Sequence, residues 1–343
     1  MDARTLDDMA KALLSDDRGL LAMDESTPTS DRRFAALGIP QTVEMRRAYR
    51  DLIVTTPRLA ESIGGAILYD ETIRQQTLAG VPFATALQQA GIAPGIKVDA
   101  GSKPLAGFPG EEVTEGLDGL RERLSAYAGM GARFAKWRAV IRIGAGTPTH
   151  GGLLANAHAL ARYAALCQEA NLVPIVEPEV LMDGVHDLQR CREVTEETLH
   201  VVFAQLHAER VRLEGMLLKP NMVLPGADCA DPSDTASIAA ATVETLLRCV
   251  PAAVPGVAFL SGGQPAALAS ERLSAMNATY RSRLPWALTF SFARAIQDPA
   301  MDAWRGNPAN VPAAQQALAH RAACNRAARR GCYDAARDAP AAD

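Results

Sequence analysis

Short apolar runs of five or six residues recur along the chain, and longer amphipathic stretches separate them. The runs fall at 19–24, 64–69, 95–99, 132–137, 173–177, 215–219, 257–261 and 286–291. Runs this short, bounded by Gly, Pro and polar residues, predict strands buried on both faces. Between them lie helix-length stretches, including 114–130, 152–170, 186–209, 233–250 and 264–277. Eight such β-α alternations predict a parallel sheet closed into a (β/α)8 barrel, an α/β TIM barrel. An open doubly wound sheet is the alternative. It would carry a Gly-x-Gly-x-x-Gly turn after its first strand, whereas this chain has Asp24-Glu-Ser-Thr-Pro-Thr-Ser30 there. The Ala-rich stretch 311–330 predicts a terminal helix, and the small and charged residues of 334–343 predict a mobile tail. No repeat beyond the β-α period and no long linker divides the chain, so 1–343 reads as one domain.

Charge and composition narrow the function by exclusion. A net charge of −4, with no Lys- or Arg-rich run, argues against a nucleic-acid partner. No stretch approaches 18 uninterrupted apolar residues, and Met1-Asp-Ala-Arg-Thr5 lacks an apolar signal region, so a soluble cytoplasmic enzyme with no membrane partner is expected. Six cysteines without a C-x-x-C read as reduced, packed thiols. The six histidines form no H-x-x-x-H or similar close pair, which argues against a catalytic metal.

The lysines carry the chemistry. Of 35 basic residues only five are lysine, and Lys97, Lys136 and Lys219 each end an apolar run. Arginine cannot be deprotonated near neutrality, whereas a lysine amine can, and the free amine adds to carbonyls. Schiff-base chemistry follows, with Lys219 as the leading nucleophile. In a barrel of this kind the C-terminal strand ends hold the catalytic groups, and here they read Asp24, Asp70, Lys97, Lys136, Glu177, Lys219, Ser261 and Ser291/Arg294. Side chains alternate along a strand. Phe134 and Lys136 therefore share a face, as do Ile175 and Glu177, and Leu217 and Lys219. If that face is the interior, the charges converge at the barrel mouth. Low polarity and a neighbouring Lys136 would keep Lys219 reactive, Glu177 would shuttle protons, and Asp24 would deprotonate a hydroxyl. A buried salt bridge closing the barrel is the other reading of Lys136 and Glu177.

An anion site is expected in Phe259-Leu-Ser-Gly-Gly-Gln-Pro265, where an apolar strand runs into a glycine turn and then a helix start. Such barrels bind phosphate after strands seven and eight, and Arg294 follows strand eight.

Together these segments resemble the class I (Schiff-base) fructose-bisphosphate aldolases. The resemblance rests on Leu21-Ala-Met-Asp-Glu-Ser-Thr27, Gly95-Ile-Lys-Val-Asp99, Phe134-Ala-Lys-Trp-Arg138, Val173-Pro-Ile-Val-Glu-Pro-Glu179, Leu217-Leu-Lys-Pro-Asn-Met222, Phe259-Leu-Ser-Gly-Gly-Gln264 and Thr289-Phe-Ser-Phe-Ala-Arg-Ala-Ile-Gln297. It implies a glycolytic and gluconeogenic lyase that cleaves fructose 1,6-bisphosphate through an imine on Lys219, with no metal or other cofactor. It implies Glu177 as acid/base, Asp24 at the C4 hydroxyl, and Lys136, Arg138 and Glu179 as charged support. Ser261, Gly262, Gly263, Ser291 and Arg294 would hold the C1 phosphate, and Ser26, Thr29, Arg33 and Lys97 the C6 phosphate. Sugar phosphates would be the partners and a homotetramer the assembly. The alternatives are another Schiff-base sugar-phosphate aldolase or transaldolase, or a non-catalytic barrel scaffold. Three departures stand out: Ala293 where the family often has Gly, Pro28-Thr29 in place of a Gly-Ser, and an end in Pro340-Ala-Ala-Asp343 where relatives commonly carry a tyrosine. Tyr333 looks like the family's terminal-helix tyrosine and is given no catalytic role.

Overall fold

All eight apolar runs form parallel strands that close on one another. They are Gly19–Ala22, Ile63–Leu68, Ala93–Lys97, Phe134–Ile141, Val173–Val180, Leu217–Leu218, Gly256–Phe259 and Ala287–Phe292, and the eighth pairs with the first to shut the barrel. The open-sheet alternative is excluded. The computed structural model describes residues 3–338.

Alternation within the strands sorts the interior. Leu20, Ala22, Ile67, Phe134, Val173, Ile175, Leu217 and Ala258 form one buried cluster with Leu6, Ala10, Leu13 and Leu14, which come from helix Ala3–Ala12 and the residues after it. That cluster fills the barrel below the strand ends. Phe134 takes so much of the space that a Cβ on Gly95 would lie 2.2 Å from its ring, which is why the third strand carries glycine there. A separate, larger apolar layer joins the strands to the surrounding helices, with Trp137, Tyr163 and Leu160 fully buried.

The fourth and fifth strands run three or four residues further than their apolar runs, pairing in register from Phe134↔Val173 to Ile141↔Val180. Arg138 and Pro178 interrupt the apolar pattern, but the backbone ladder continues past them. The sixth strand is short because Pro220 has no N–H to donate. The ladder nonetheless persists through Lys219 N–H to Val176 C=O at 2.8 Å and Leu260 N–H to Pro220 C=O at 3.1 Å.

One expectation changes. The helix foreseen from 114 begins at Leu120, because Glu112–Thr114 pairs antiparallel with Ser102–Pro104 and Gly116 and Gly119 turn the chain at positive φ. The segment from 334, expected as a mobile tail, makes contacts as far as Asp338. Ala335–Arg337 forms a short turn, and Asp338 accepts a hydrogen bond from the Tyr333 hydroxyl at 2.6 Å. Residues 339–343 of that expectation lie outside the described residues. The terminal helix spans Val311–Arg329.

Candidate active site

Each of four interior-facing positions lies two residues beyond an apolar neighbour of the barrel plug. Asp24 follows Ala22, Lys136 follows Phe134, Glu177 follows Ile175 and Lys219 follows Leu217. All four are less than a tenth exposed. They form a row of alternating charge. Lys136 Nζ lies 2.7 Å from Asp24 Oδ2 and 3.2 Å from Glu177 Oε2, and Glu177 Oε1 lies 3.0 Å from Lys219 Nζ. Two cations and two anions balance, which such buried groups require. Removing one partner would strand a buried charge at a cost of about 3–5 kcal/mol.

The electrostatics follow from that order. Burial by itself would raise the Asp24 carboxyl, but the charges of Lys136 and Lys219 overcome it and bring the pKa down to about 2. Glu177 is held below the usual carboxylate range in the same way, burial opposing and the Lys136, Lys219 and Arg138 charges winning. Burial would lower the Lys136 ammonium, yet Asp24 and Glu177 push it above the ordinary lysine range. Lys136 is thus a fixed positive charge, and Glu177 bridges the two amines. The 3.2 Å contact to Lys136 is an ion pair without hydrogen-bond geometry, so Glu177 Oε2 keeps an unused lone pair.

Beside the Asp24 and Lys136 end of the row lies a cleft of about 420 Å³ lined by those two with Ser26, Thr29, Lys97 and Arg138, among others, while Glu177 and Lys219 lie behind that lining. A groove of about 480 Å³ between the helices Leu188–Ala208 and Thr235–Cys249 is lined by Asp187, Arg192, Asp231 and Asp234 and holds no strand-end group. Arg138 is paired with Glu179 on the adjacent strand. Burial would lower Arg138, but Glu179 more than reverses it, so Arg138 stays charged.

The expected anion groups fall at two ends of the mouth. After the seventh strand, Gly262 and Gly263 take φ of +59° and +89°, a backbone that glycine adopts without strain. Gln264 fixes this turn by donating to Ser261 C=O at 2.9 Å, and Arg272 in turn donates to Gln264 Oε1 at 2.7 Å. Arg294 opens helix Arg294–Trp304 and reaches toward Gly263, where a Cβ would meet its Nη2 at 3.4 Å. The buried Ser291 hydroxyl has no partner among the described residues. At the other end, Ser26 precedes helix Thr27–Ala36 and its hydroxyl lies 3.1 Å from that of Thr29. Arg33 does not face the cleft freely: Glu25 takes one of its nitrogens at 2.5 Å and Asp298 another at 2.6 Å. Lys97 is paired with Asp99 at 2.5 Å.

Sequence reasoning passed over three residues that shape this site. Asp99 lines the cleft and accepts from Arg138 N–H as well as Lys97, tying the third strand end to the fourth. Glu25 joins Arg33 and Arg50. Asn221 accepts from Val180 N–H and donates to Thr195, which holds the chain just after Lys219 against the fifth strand. Asp99, Glu25 and Asn221 all stood inside the quoted motifs, and only their partners were out of view.

Comparison with known proteins settles the family. The family model for fructose-bisphosphate aldolase class-I matches residues 5–343. The chain belongs to the class I fructose-bisphosphate aldolase family. A probable fructose-bisphosphate aldolase class 1 of Xanthomonas campestris is 52% identical over 323 residues, covering 94% of this chain and 96% of that one. Fructose-bisphosphate aldolase B of Gallus gallus is 48% identical over 331 residues, 96% of this chain and 91% of that one. A solved fructose-bisphosphate aldolase of Plasmodium falciparum, in complex with TRAP and a small-molecule inhibitor, superposes with a TM-score of 0.95 at 46% identity, covering 97% and 96% of the two chains.

Two of this aldolase's departures from its family have local explanations. Ala293 adopts φ −105°, outside the left-handed region, so glycine is not required there. Pro28 lies in the first turn of its helix, where a missing N–H costs nothing. Among the described residues, no helix is long and apolar enough to cross a membrane.

Proposed function

We propose that this chain reversibly cleaves fructose 1,6-bisphosphate to dihydroxyacetone phosphate and glyceraldehyde 3-phosphate through an imine on Lys219. The observation that carries the reading is the buried row Asp24, Lys136, Glu177, Lys219, in which a carboxylate touches a single nucleophilic amine from one side. Glu177 Oε1 takes the proton that frees the amine, and the amine adds to the C2 carbonyl. The same carboxyl then protonates the carbinolamine hydroxyl, which leaves as water and gives the iminium. Asp24 accepts the proton of the C4 hydroxyl. The electrons of the C3–C4 bond pass into the iminium, the aldehyde departs and an enamine remains. Asp24 is a weak base in the free site, so this step depends on the electron sink of the iminium. The proton that Asp24 took returns through water or Glu177 to C3 of the enamine, and hydrolysis of the resulting iminium releases the triose phosphate and returns Lys219. Lys136 holds both carboxylates in place and favours the return of each to its charged form after it has carried a proton, and Arg138 with Glu179 supports the row.

The C1 phosphate is assigned to Ser261, Gly262, Gly263, Ser291 and Arg294, and the C6 phosphate to Ser26, Thr29, Lys97 and Arg33. No metal or other cofactor is assigned to the reaction, and a chelator should leave turnover unchanged. Family resemblance supports a single-domain, cytoplasmic homotetramer, and sedimentation velocity measures the assembly.

Borohydride with dihydroxyacetone phosphate should add one reduced triose phosphate per chain, on the peptide holding Leu217-Leu-Lys-Pro220. Label on Lys97 or Lys136 would overturn the assignment. Lys219→Arg keeps the charge and loses the usable amine, so kcat should fall by several orders of magnitude, roughly 10⁴ or more, with no trapped adduct.

A further inference from the structure

The terminal helix and the segment after it bring together three donors that take no part in the barrel chemistry. His320 and Cys324 stand four residues apart on helix Val311–Arg329, and so on one face. Asp338 closes over them from beyond the turn Ala335–Arg337. His320 Nε2 lies 3.6 Å from Cys324 Sγ and 3.3 Å from Asp338 Oδ1, and Cys324 Sγ lies 3.3 Å from the same Oδ1. Tetrahedral zinc takes thiolate at about 2.3 Å, imidazole at about 2.0–2.1 Å and carboxylate at about 2.0–2.2 Å. Those bond lengths require donor separations of about 3.6 Å for sulfur to nitrogen, about 3.6 Å for sulfur to oxygen and about 3.4 Å for nitrogen to oxygen. The three observed separations fall within about 0.3 Å of one face of that tetrahedron.

We propose that His320, Cys324 and Asp338 bind a zinc-class divalent cation, with water in the fourth position, and that the ion fastens the C-terminal segment to the terminal helix. The surroundings of the carboxylate fit that role. Asp338 Oδ2 is taken up by the Tyr333 hydroxyl and by Arg321, which leaves Oδ1 turned toward the imidazole and the thiol. Metal-binding carboxylates are commonly oriented in this way by hydrogen bonds to the other oxygen. Arg321 is itself fixed, donating to Ala266 C=O at 3.0 Å and to Ser270 Oγ at 2.8 Å. His320 is exposed, which leaves a route for the ion and a place for the water.

Binding must release a proton. A cysteine binds a metal as the thiolate, whereas a free thiol near neutral pH is mostly S–H. The incoming cation displaces that proton, the S–metal bond forms from the thiolate pair, and no oxidant or reductant is involved. Affinity should therefore rise with pH. None of the three residues lines the cleft above the strand ends, so the ion is structural and independent of the imine reaction. The sequence held the signal as a His-x-x-x-Cys pair, which a search for paired histidines or C-x-x-C passes over.

Cobalt(II) tests the site with the full chain after chelator treatment and dialysis. One equivalent should bind per chain and give a thiolate-to-cobalt charge-transfer band, which zinc should bleach by displacement. The band should vanish in both Cys324→Ser and His320→Ala, while the turnover and circular dichroism of these variants stay at the wild-type level. Zinc should also slow amide exchange across 334–338 in the wild type alone. A band that survives in both variants, or wild-type protein that takes up no more cobalt than Cys324→Ser, would overturn the proposal and leave the cluster as hydrogen bonds and an ion pair. Should either variant fold poorly, absence of the band in wild-type protein alone would still overturn it.

Discussion

At the end of the cleft built by the seventh and eighth strands, Arg294 is exposed and makes no hydrogen bond or ion pair with any described residue. At the end built by the first strand, Arg33 is clasped by Glu25 at 2.5 Å and Asp298 at 2.6 Å. Ser291 keeps a buried hydroxyl unsatisfied beside the first of these ends, while Ser26 and Thr29 at the second lie within hydrogen-bond distance of each other. If both ends take the phosphates as proposed, one is an anion site kept open and the other an anion site that has neutralised itself. A phosphate arriving at Arg294 gains a charge-assisted bond outright. A phosphate arriving at Arg33 gains only the difference between itself and a carboxylate already in place. In the proposed assignment the triose that remains covalently attached sits at the open end, so the stronger grip would fall on the half of the substrate that must not leave.

The contrast can be broken by substitution. Arg294→Ala removes a free guanidinium worth about 1.5–3 kcal/mol to a phosphate, so kcat/KM should fall by about 10- to 100-fold. Fructose 1-phosphate and fructose 1,6-bisphosphate should suffer alike, because both carry the C1 phosphate. A loss confined to the bisphosphate would exchange the roles of the two ends.

Arg33→Ala should cost less, below about tenfold on the bisphosphate, since the net gain of that contact is reduced by the carboxylates it displaces. Fructose 1-phosphate should be unaffected. The fold should tolerate the change because Arg50, 2.9 Å from Glu25, still balances the buried carboxylate. An effect as large as that of Arg294→Ala would mean that Arg33 swings free of Glu25 and Asp298 at little cost. Equal losses on both substrates would remove this loop from C6 recognition, and a wild-type preference for the monophosphate would favour the related monophosphate aldolase.

What the sequence made legible divides along the same line. Lys136, Glu177 and Lys219 were readable because each needs only its own strand: alternation from Phe134, Ile175 and Leu217 fixes where they point. The same reasoning placed the eight strands and closed the barrel. The pairing of Arg33 with Asp298 joins residues 265 positions apart, and no local pattern on either side announces it. Asp338 at the His320 and Cys324 pair is hidden for the same reason, since it belongs to a stretch whose composition reads as tail. Strand lengths failed where polar residues carry on an extended backbone, as Arg138 and Glu179 do. The hairpin of Ser102–Pro104 with Glu112–Thr114 was missed because three-residue strands are too short to show a period.

Releasing one of the two clasps on Arg33 should sharpen the contrast with the smallest effect. Asp298→Asn should raise kcat/KM for the bisphosphate a few-fold at neutral pH and leave fructose 1-phosphate alone. Its pH dependence carries more information than its size. Burial raises the Asp298 pKa above the ordinary carboxylate value, against the pull of Arg33 and the weaker pull of Arg294. As pH falls through that raised value, wild-type Asp298 gains a proton and loosens its hold, so the wild type comes to resemble the variant. The central row does not titrate with it, because the charges of Lys136 and Lys219 outweigh burial and keep Asp24 at about 2. Protonation of the substrate phosphates, near pH 6, is common to both enzymes and cancels in their ratio. The ratio of variant to wild-type kcat/KM for the bisphosphate should therefore be highest at neutral pH and decline toward one in acid, while the ratio for fructose 1-phosphate stays at one. A bisphosphate ratio that is flat with pH would show that Asp298 does not restrain Arg33, and the self-neutralised end would then rest on Glu25 alone.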